Sequence, residues 1–340
     1  MTLRRLWWTG LACLLLLFPT VSFAAPKAKT AVKKAKARKL YLWKIKGQHN
    51  TVYLFGSIHV LDKSFYPLDS AITTAFQRSP VLVVEADVHR VNPLSVRKMT
   101  LRHGLYPPGK TLKTELPPKV YKKAAAYMQK MGLPIIRFHR MKPWLLGMTL
   151  SMMVLQRMGF SGQQGLDKTL LRQMAARIQR WKSLHPPRKG KKTKGKKALN
   201  SRPPAIKELE GVGLQLRIFA SFSPKVQESI LLSALQPTTS VRQKFLKLVK
   251  YWKSGEDKKL YKLAFADFQK APKIFQKKMI LLRNQGMTQK VLGYLKSRRD
   301  HFVAMGTAHL LGKDSVLRML RDKKIKVERL KAAGVKRTLP

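Results

Sequence analysis

Two four-residue runs without a polar side chain, Val81-Leu82-Val83-Val84 and Phe302-Val303-Ala304-Met305, set the tightest limit on what this chain can fold into. Runs this short and unalternating read as strands covered on both faces. Leu40 to Ile45 and Thr51 to Phe55 are further strand-like runs, joined as a hairpin by Gly47-Gln48-His49-Asn50. Helical patterns lie between: Pro67 to Phe76, Pro118 to Met131, Pro143 to Met158, Leu166 to Trp181, and most of Pro224 to Arg299. Ala205 to Leu209 reads as another strand. The chain closes on the strand His301 to Met305, a helix from Asp314 to Leu320, and the strand Ile325 to Val327. This alternation predicts an α/β fold. A central mixed sheet is flanked by helices, with a large helical insertion between the N- and C-terminal halves of the core.

The expected domain spans 40–335, and what precedes it has another purpose. Arg4 and Arg5, the apolar stretch Leu11 to Phe18, and the small residues Ser22 and Ala24 describe a signal peptide over 1–24. A retained anchor is the alternative, but the apolar core is short for a span and Pro19 follows it. Export then leads to the periplasm or the medium. Residues 25–39 form a Lys/Ala-rich arm expected to be disordered, and 185–204 a basic low-complexity loop carrying the run Arg188 to Lys197. Cys13, inside the signal, is the only cysteine, which excludes disulfides, thiol nucleophiles and thiolate metal sites from the mature protein. The formal net charge of +54 favours anionic partners. For an exported chain these are cell-envelope polymers or membrane surfaces before nucleic acid, and a general surface adaptation explains the charge equally well.

Three of the expected strands run into chemistry. Val52 to Phe55 leads into Gly56-Ser57-Ile58-His59, Val81 to Val84 into Glu85-Ala86-Asp87, and Phe302 to Met305 into Gly306-Thr307-Ala308-His309. Open α/β sheets bind ligands beyond the carboxyl ends of their strands. With 20 Gly and 8 His in 340 residues, chance supplies roughly half of one Gly-x-x-His match, so placement after strands weighs more than spacing. Two imidazoles and a carboxylate are a common ligand set for a catalytic divalent metal. Glu210, before Gly211 at a strand end, is a further acidic candidate. Glu208 shares its face, and the choice between them stays open. Asp87 reads equally as a site residue or a helix cap. Arg283 and Asn284 lie in a Lys-rich helical stretch that reads by itself as a solvated face. The methionines from Met128 to Met158 read as core.

Taken together, the motifs resemble the TraB/PrgY/GumN family. The likeness rests on Leu42-Trp43, Tyr53 to His59, Pro67-Leu68, Val84 to Asp87, Lys142-Pro143-Trp144, Gly165-Leu166-Asp167, Glu208-Leu209-Glu210 with Gln215, Arg283-Asn284, and Ala304 to Gly312. The resemblance implies a fold related to erythromycin-esterase and haem-binding ChaN-like proteins. It also implies kinship with the animal Tiki proteins, membrane-associated proteases that need Mn or Co. By that likeness His59, Glu85 and His309 form the site, supported by Glu210, Arg283 and Asn284. The expected function is metal-dependent hydrolysis of a peptide or protein, with Mn or Co as the metal and Zn a further candidate. His59 and His309 would hold the metal, with Glu85. Glu85 or Glu210 would take the proton, and Arg283 or Asn284 would steady an oxyanion. The alternatives are a non-catalytic binder of a peptide, haem or metal, and a basic polyanion-binding surface protein.

Overall fold

The computed structural model describes residues 38–186 and 202–333. The expected signal peptide, the arm up to residue 37 and the lysine run of the 185–204 loop lie outside the described residues. The chain divides into two compact units. One contains residues 38–89, Gln164–Leu209 and 284–333, and the other Arg90–Gln163 and Glu210–Arg283. The helical insertion therefore comes in two pieces, because Gln164–Leu209 returns to the sheet unit between them.

The sheet unit contains the six strands found among the described residues: β1 (Lys39–Lys46), β2 (Thr51–Ser57), β3 (Val81–Val84), β4 (Ala205–Glu208), β5 (His301–Gly306) and β6 (Glu328–Lys331). Their order is β4-β3-β5-β2-β1-β6. β4, β3, β5 and β2 run parallel, while β1 is antiparallel to both neighbours, so the sheet is mixed as expected. β2, β3 and β5 are buried along their whole length. The edges, Ala205-Ile206-Lys207-Glu208 and Glu328-Arg329-Leu330-Lys331, are polar and short, which discourages a further strand from adding on.

Phe302 of β5 packs against Phe55 of β2 and Phe76 of the helix Ser70–Arg78, with ring centroids 5.4 and 5.5 Å away. Each such buried ring stabilises by roughly 1.5–3 kcal/mol, and Phe302→Ala would cost about 3–5 kcal/mol with its cavity. The helix expected from Pro67 starts at Ser70, because the Asp69 side chain accepts the Ala71 N–H and caps it there. The last strand is Glu328–Lys331 and not Ile325 to Val327. Its register is set by Lys44↔Glu328 and Trp43↔Arg329 pairing with β1, which overrides the apolar local sequence.

In the helical unit, Pro143 opens the helix Pro143–Arg157, and Trp144 beneath it is fully buried and stacked on Phe219 at 5.6 Å. Of the methionines expected in the core, Met128, Met131, Met152 and Met153 are buried there, whereas Met141, Met148 and Met158 are only partly covered.

Candidate functional site

Pairing brings the three strand ends level. Ser57 stands opposite Gly306 in the β2–β5 ladder, and Val83 opposite Val303 in the β3–β5 ladder. Glu85 is thus the first residue past β3, His59 lies just past β2, and His309 sits in the short 3-10 turn Thr307–Leu310 that follows β5. Gly56 serves the crowding of these central strands: a Cβ there would lie 3.0 Å from Thr307 Oγ1 and 3.2 Å from Tyr41 Cβ. Thr307 Oγ1 donates to the Ser57 carbonyl at 2.9 Å and ties the two strand ends together.

The geometry is convergent. His59 Nε2 and His309 Nε2 each stand 3.8 Å from Glu85 Oε1. Each imidazole is oriented from behind. His59 Nδ1 lies 2.6 Å from Asp167 Oδ2, and His309 Nδ1 lies 2.5 Å from Asn284 Oδ1. Asn284 Nδ2 donates to the Asp314 carbonyl at 2.6 Å, which turns its oxygen toward the ring. A carboxylate or amide oxygen can only accept here, so both rings carry their proton on Nδ1 and direct Nε2 at Glu85. Asp167 is itself held: Ser57 Oγ donates to its Oδ1 at 2.8 Å, and Leu166 N–H donates to the Ile58 carbonyl at 3.0 Å. Gly306 N–H donates to Glu85 Oε1 at 2.6 Å.

Gly306 also bounds the space the three groups face. A Cβ there would lie 3.2 Å from His59 Nε2, 3.2 Å from Glu85 Oε1 and 3.7 Å from His309 Cδ2. The His309 side chain is fully buried, whereas that of His59 keeps 19 % exposure and forms the open side. Among the described residues no group of three or more His, Cys, Asp or Glu side chains is gathered closely enough to hold a metal ion as it stands. The trio is therefore an open arrangement.

The remaining candidates are placed as follows. Glu210 and Arg283 belong to the helical unit and pair with each other: Arg283 Nε and Nη2 donate to the two Glu210 oxygens at 2.8 and 2.7 Å, both side chains being 4 % exposed. Gln215 Nε2 adds a donor to Glu210 at 3.3 Å. Arg283 and Asn284 are thus buried, contrary to the solvated-face reading of their Lys-rich surroundings. Glu208 is exposed and accepts the Asp87 N–H at 2.6 Å, joining the end of β4 to the turn after β3. Asp87 caps no helix; its Oδ1 accepts the His89 N–H, and Asn92 caps the next helix. Asp167 belongs to the motif Gly165-Leu166-Asp167 but carried no assigned role. Its one signal was an acid in the first turn of a helix.

The sequence profile of the TraB/PrgY/gumN family matches residues 41–189 and 197–329. The chain belongs to this family. No curated protein and no solved structure matches it. In this TraB/PrgY/gumN protein the match takes in every residue of the convergent site, and its gap, residues 190–196, falls within the basic run Arg188 to Lys197.

Proposed function

We propose that this TraB/PrgY/gumN protein is an exported, divalent-metal-dependent hydrolase of a peptide or protein, working at His59, Glu85 and His309. The supporting observation is the pair of Nδ1 contacts, to Asp167 and Asn284, that turn both Nε2 atoms onto one Glu85 oxygen. Outer acceptors on Nδ1 are what metal-ligating histidines ordinarily have. The donor chemistry fits Mn, Co or Zn, with His59 and His309 ligating through Nε2 and Glu85 through Oε1. The 3.8 Å separations exceed the roughly 3.4 Å edge of a tetrahedral set with bonds of about 2.1 Å. Closure needs a few tenths of an ångström in each separation; the partly exposed His59 has the room for one, and the other falls to the Glu85 side chain, since His309 is fully buried.

A divalent cation at these donors would supply Lewis acidity toward water and a carbonyl oxygen. The chain's own residues do the rest. Asp167 keeps the proton on His59 Nδ1, Asn284 does the same for His309, and Gly306 N–H steadies the Glu85 carboxylate that receives a proton from water. Glu210 and Arg283 neutralise each other, so we assign them to holding the helical unit together and not to proton transfer. Asn284 is assigned an orienting role, since its amide donates to backbone carbonyls.

The test is titration calorimetry with Mn, Co and Zn on the parent, His59→Ala, His309→Ala and the double variant, beside a peptide-hydrolysis assay. Either single change should remove most of the affinity and the double change little more, as for groups that act as one unit. Additive losses, or no binding of any of the three metals, refute the shared site. Stoichiometric binding without turnover would leave the non-catalytic binder.

A further inference from the structure

The helix Pro93–Gly104 has a face that the proposed chemistry leaves unexplained. Asn92 caps it and Pro93 occupies its first turn. Its inner side is used, since Thr100 and Gly104 are buried. Its outer side is not polar throughout. Leu94 and Leu101 are 71 % and 43 % exposed, and seven residues apart they lie two turns along one stripe. Arg97, Lys98 and Arg102, all exposed, flank that stripe, and the helix contains no acid. The chain after the helix continues the theme. Lys142 N–H bonds the Gly104 carbonyl and Tyr106 N–H the Arg140 carbonyl, which ties the helix's end to the segment presenting Ile136 at 65 % exposure. Between Arg90 and Gln163 there are fourteen Lys and Arg against one acid, Glu115, which Lys110 contacts at 3.3 Å.

We infer that this helix docks the protein on an anionic lipid surface. An acidic polymer would neutralise the cations but leave the leucines in water. A bilayer interface takes both, leucines in the acyl boundary and cations among the head groups. The helix has 12 residues, too few to span a bilayer, so attachment by this face is peripheral. The inference does not rest on the chemistry at His59.

The experiment uses the chain from residue 25 onward, without the expected signal peptide; it contains no cysteine, so no other thiol is present. Leu94→Cys, Leu101→Cys and, as a control on another helix, Lys122→Cys are each nitroxide-labelled. The probes are vesicles of phosphatidylcholine alone and of phosphatidylcholine mixed equally with phosphatidylglycerol. On the mixed vesicles the labels at 94 and 101 should gain contact with oxygen and lose contact with a water-soluble nickel complex, while the label at 122 stays in water. Combined Arg97→Gln, Lys98→Gln and Arg102→Gln should weaken binding by about fivefold per charge, roughly a hundredfold together. Labels at 94 and 101 that stay in water while the protein sediments with vesicles overturn the inference, because attachment then lies elsewhere. So does failure to sediment, or equal insertion into the neutral vesicles.

Discussion

Gly306→Ala is the sharpest probe of the site, because it adds one methyl where three functional groups face each other. The backbone tolerates it: Gly306 has φ −51° and ψ 133°, a conformation open to any L residue. The cost arises from contacts alone. The new Cβ would stand 3.2 Å from both His59 Nε2 and Glu85 Oε1, a few tenths of an ångström too close. His59 is partly exposed and can yield, so we expect a stability loss of about 1 kcal/mol, at the low end for overpacking. The Nε2 and Oε1 donors must then part beyond their present 3.8 Å, the opposite of the closure a cation requires. Metal affinity should fall tenfold to a hundredfold, the range seen when ligand positioning is lost. Gly56→Ala is the matched control. Its Cβ would meet Thr307 Oγ1 and Tyr41 Cβ instead, so it should lower stability by about 1–3 kcal/mol and leave metal affinity near the parent value. Thermal melts and calorimetric titrations on the two variants read both quantities. Unchanged metal binding in Gly306→Ala, with the fold intact, would refute the reasoning that this space is the ligand's.

Removing the Asp167 acceptor in Asp167→Ala should cost about tenfold to a hundredfold in metal affinity, with Asp167→Asn, which retains an acceptor oxygen, recovering part of it in the same titration. Arg283→Met strands the buried Glu210 carboxylate and should cost about 3–5 kcal/mol in urea unfolding, whereas the Glu210→Leu/Arg283→Met pair should recover most of the loss. His301 is fully buried, stacked on Tyr294 at 4.7 Å, with Nδ1–H donating to the Arg299 carbonyl, and burial pushes its pKa down from 6.5 to about 4. The unfolded chain therefore takes up the proton first as pH falls. Stability is fully present above about pH 6.5 and declines toward pH 4, by about 3 kcal/mol in all. Urea titrations across this window should show that decline in the parent and not in His301→Asn.

The central strands and the trio were legible because burial on both faces leaves an unbroken apolar run, and a polar residue ending such a run stands out. Glu85 after Val84 and His309 after Gly306 carry that signal directly. Asp167 did not, since its role depends on Leu166 N–H meeting the Ile58 carbonyl, a contact between segments more than a hundred residues apart. Arg283 and Asn284 were obscured by neighbouring lysines. The inner stripe of the helix Leu282–Leu295 begins with Arg283 and Asn284 and includes Thr288, so it lacks the apolar periodicity by which a buried face is read. The strand Glu328–Lys331 has almost no apolar content, and only its pairing with β1 makes it a strand.

The position of β5 in the sheet has a consequence for the order of events in this protein's life. β5 lies between β3 and β2, so the hairpin β1–β2 and the pair β3–β4 share no ladder until residues 301–306 arrive. A chain emerging from its N-terminus carries His59 and Glu85 on two separate fragments of sheet, with the seat of His309 still to come. Closing contacts across some 250 residues is slow and comes late. The last long strand made is thus the keystone, and the convergent site comes into being only when residues 301–309 have joined the sheet. Were the chain to cross a membrane unfolded, as the proposed export implies, the site would not exist during the passage, and any fragment ending before His301 would have neither the joined sheet nor the site.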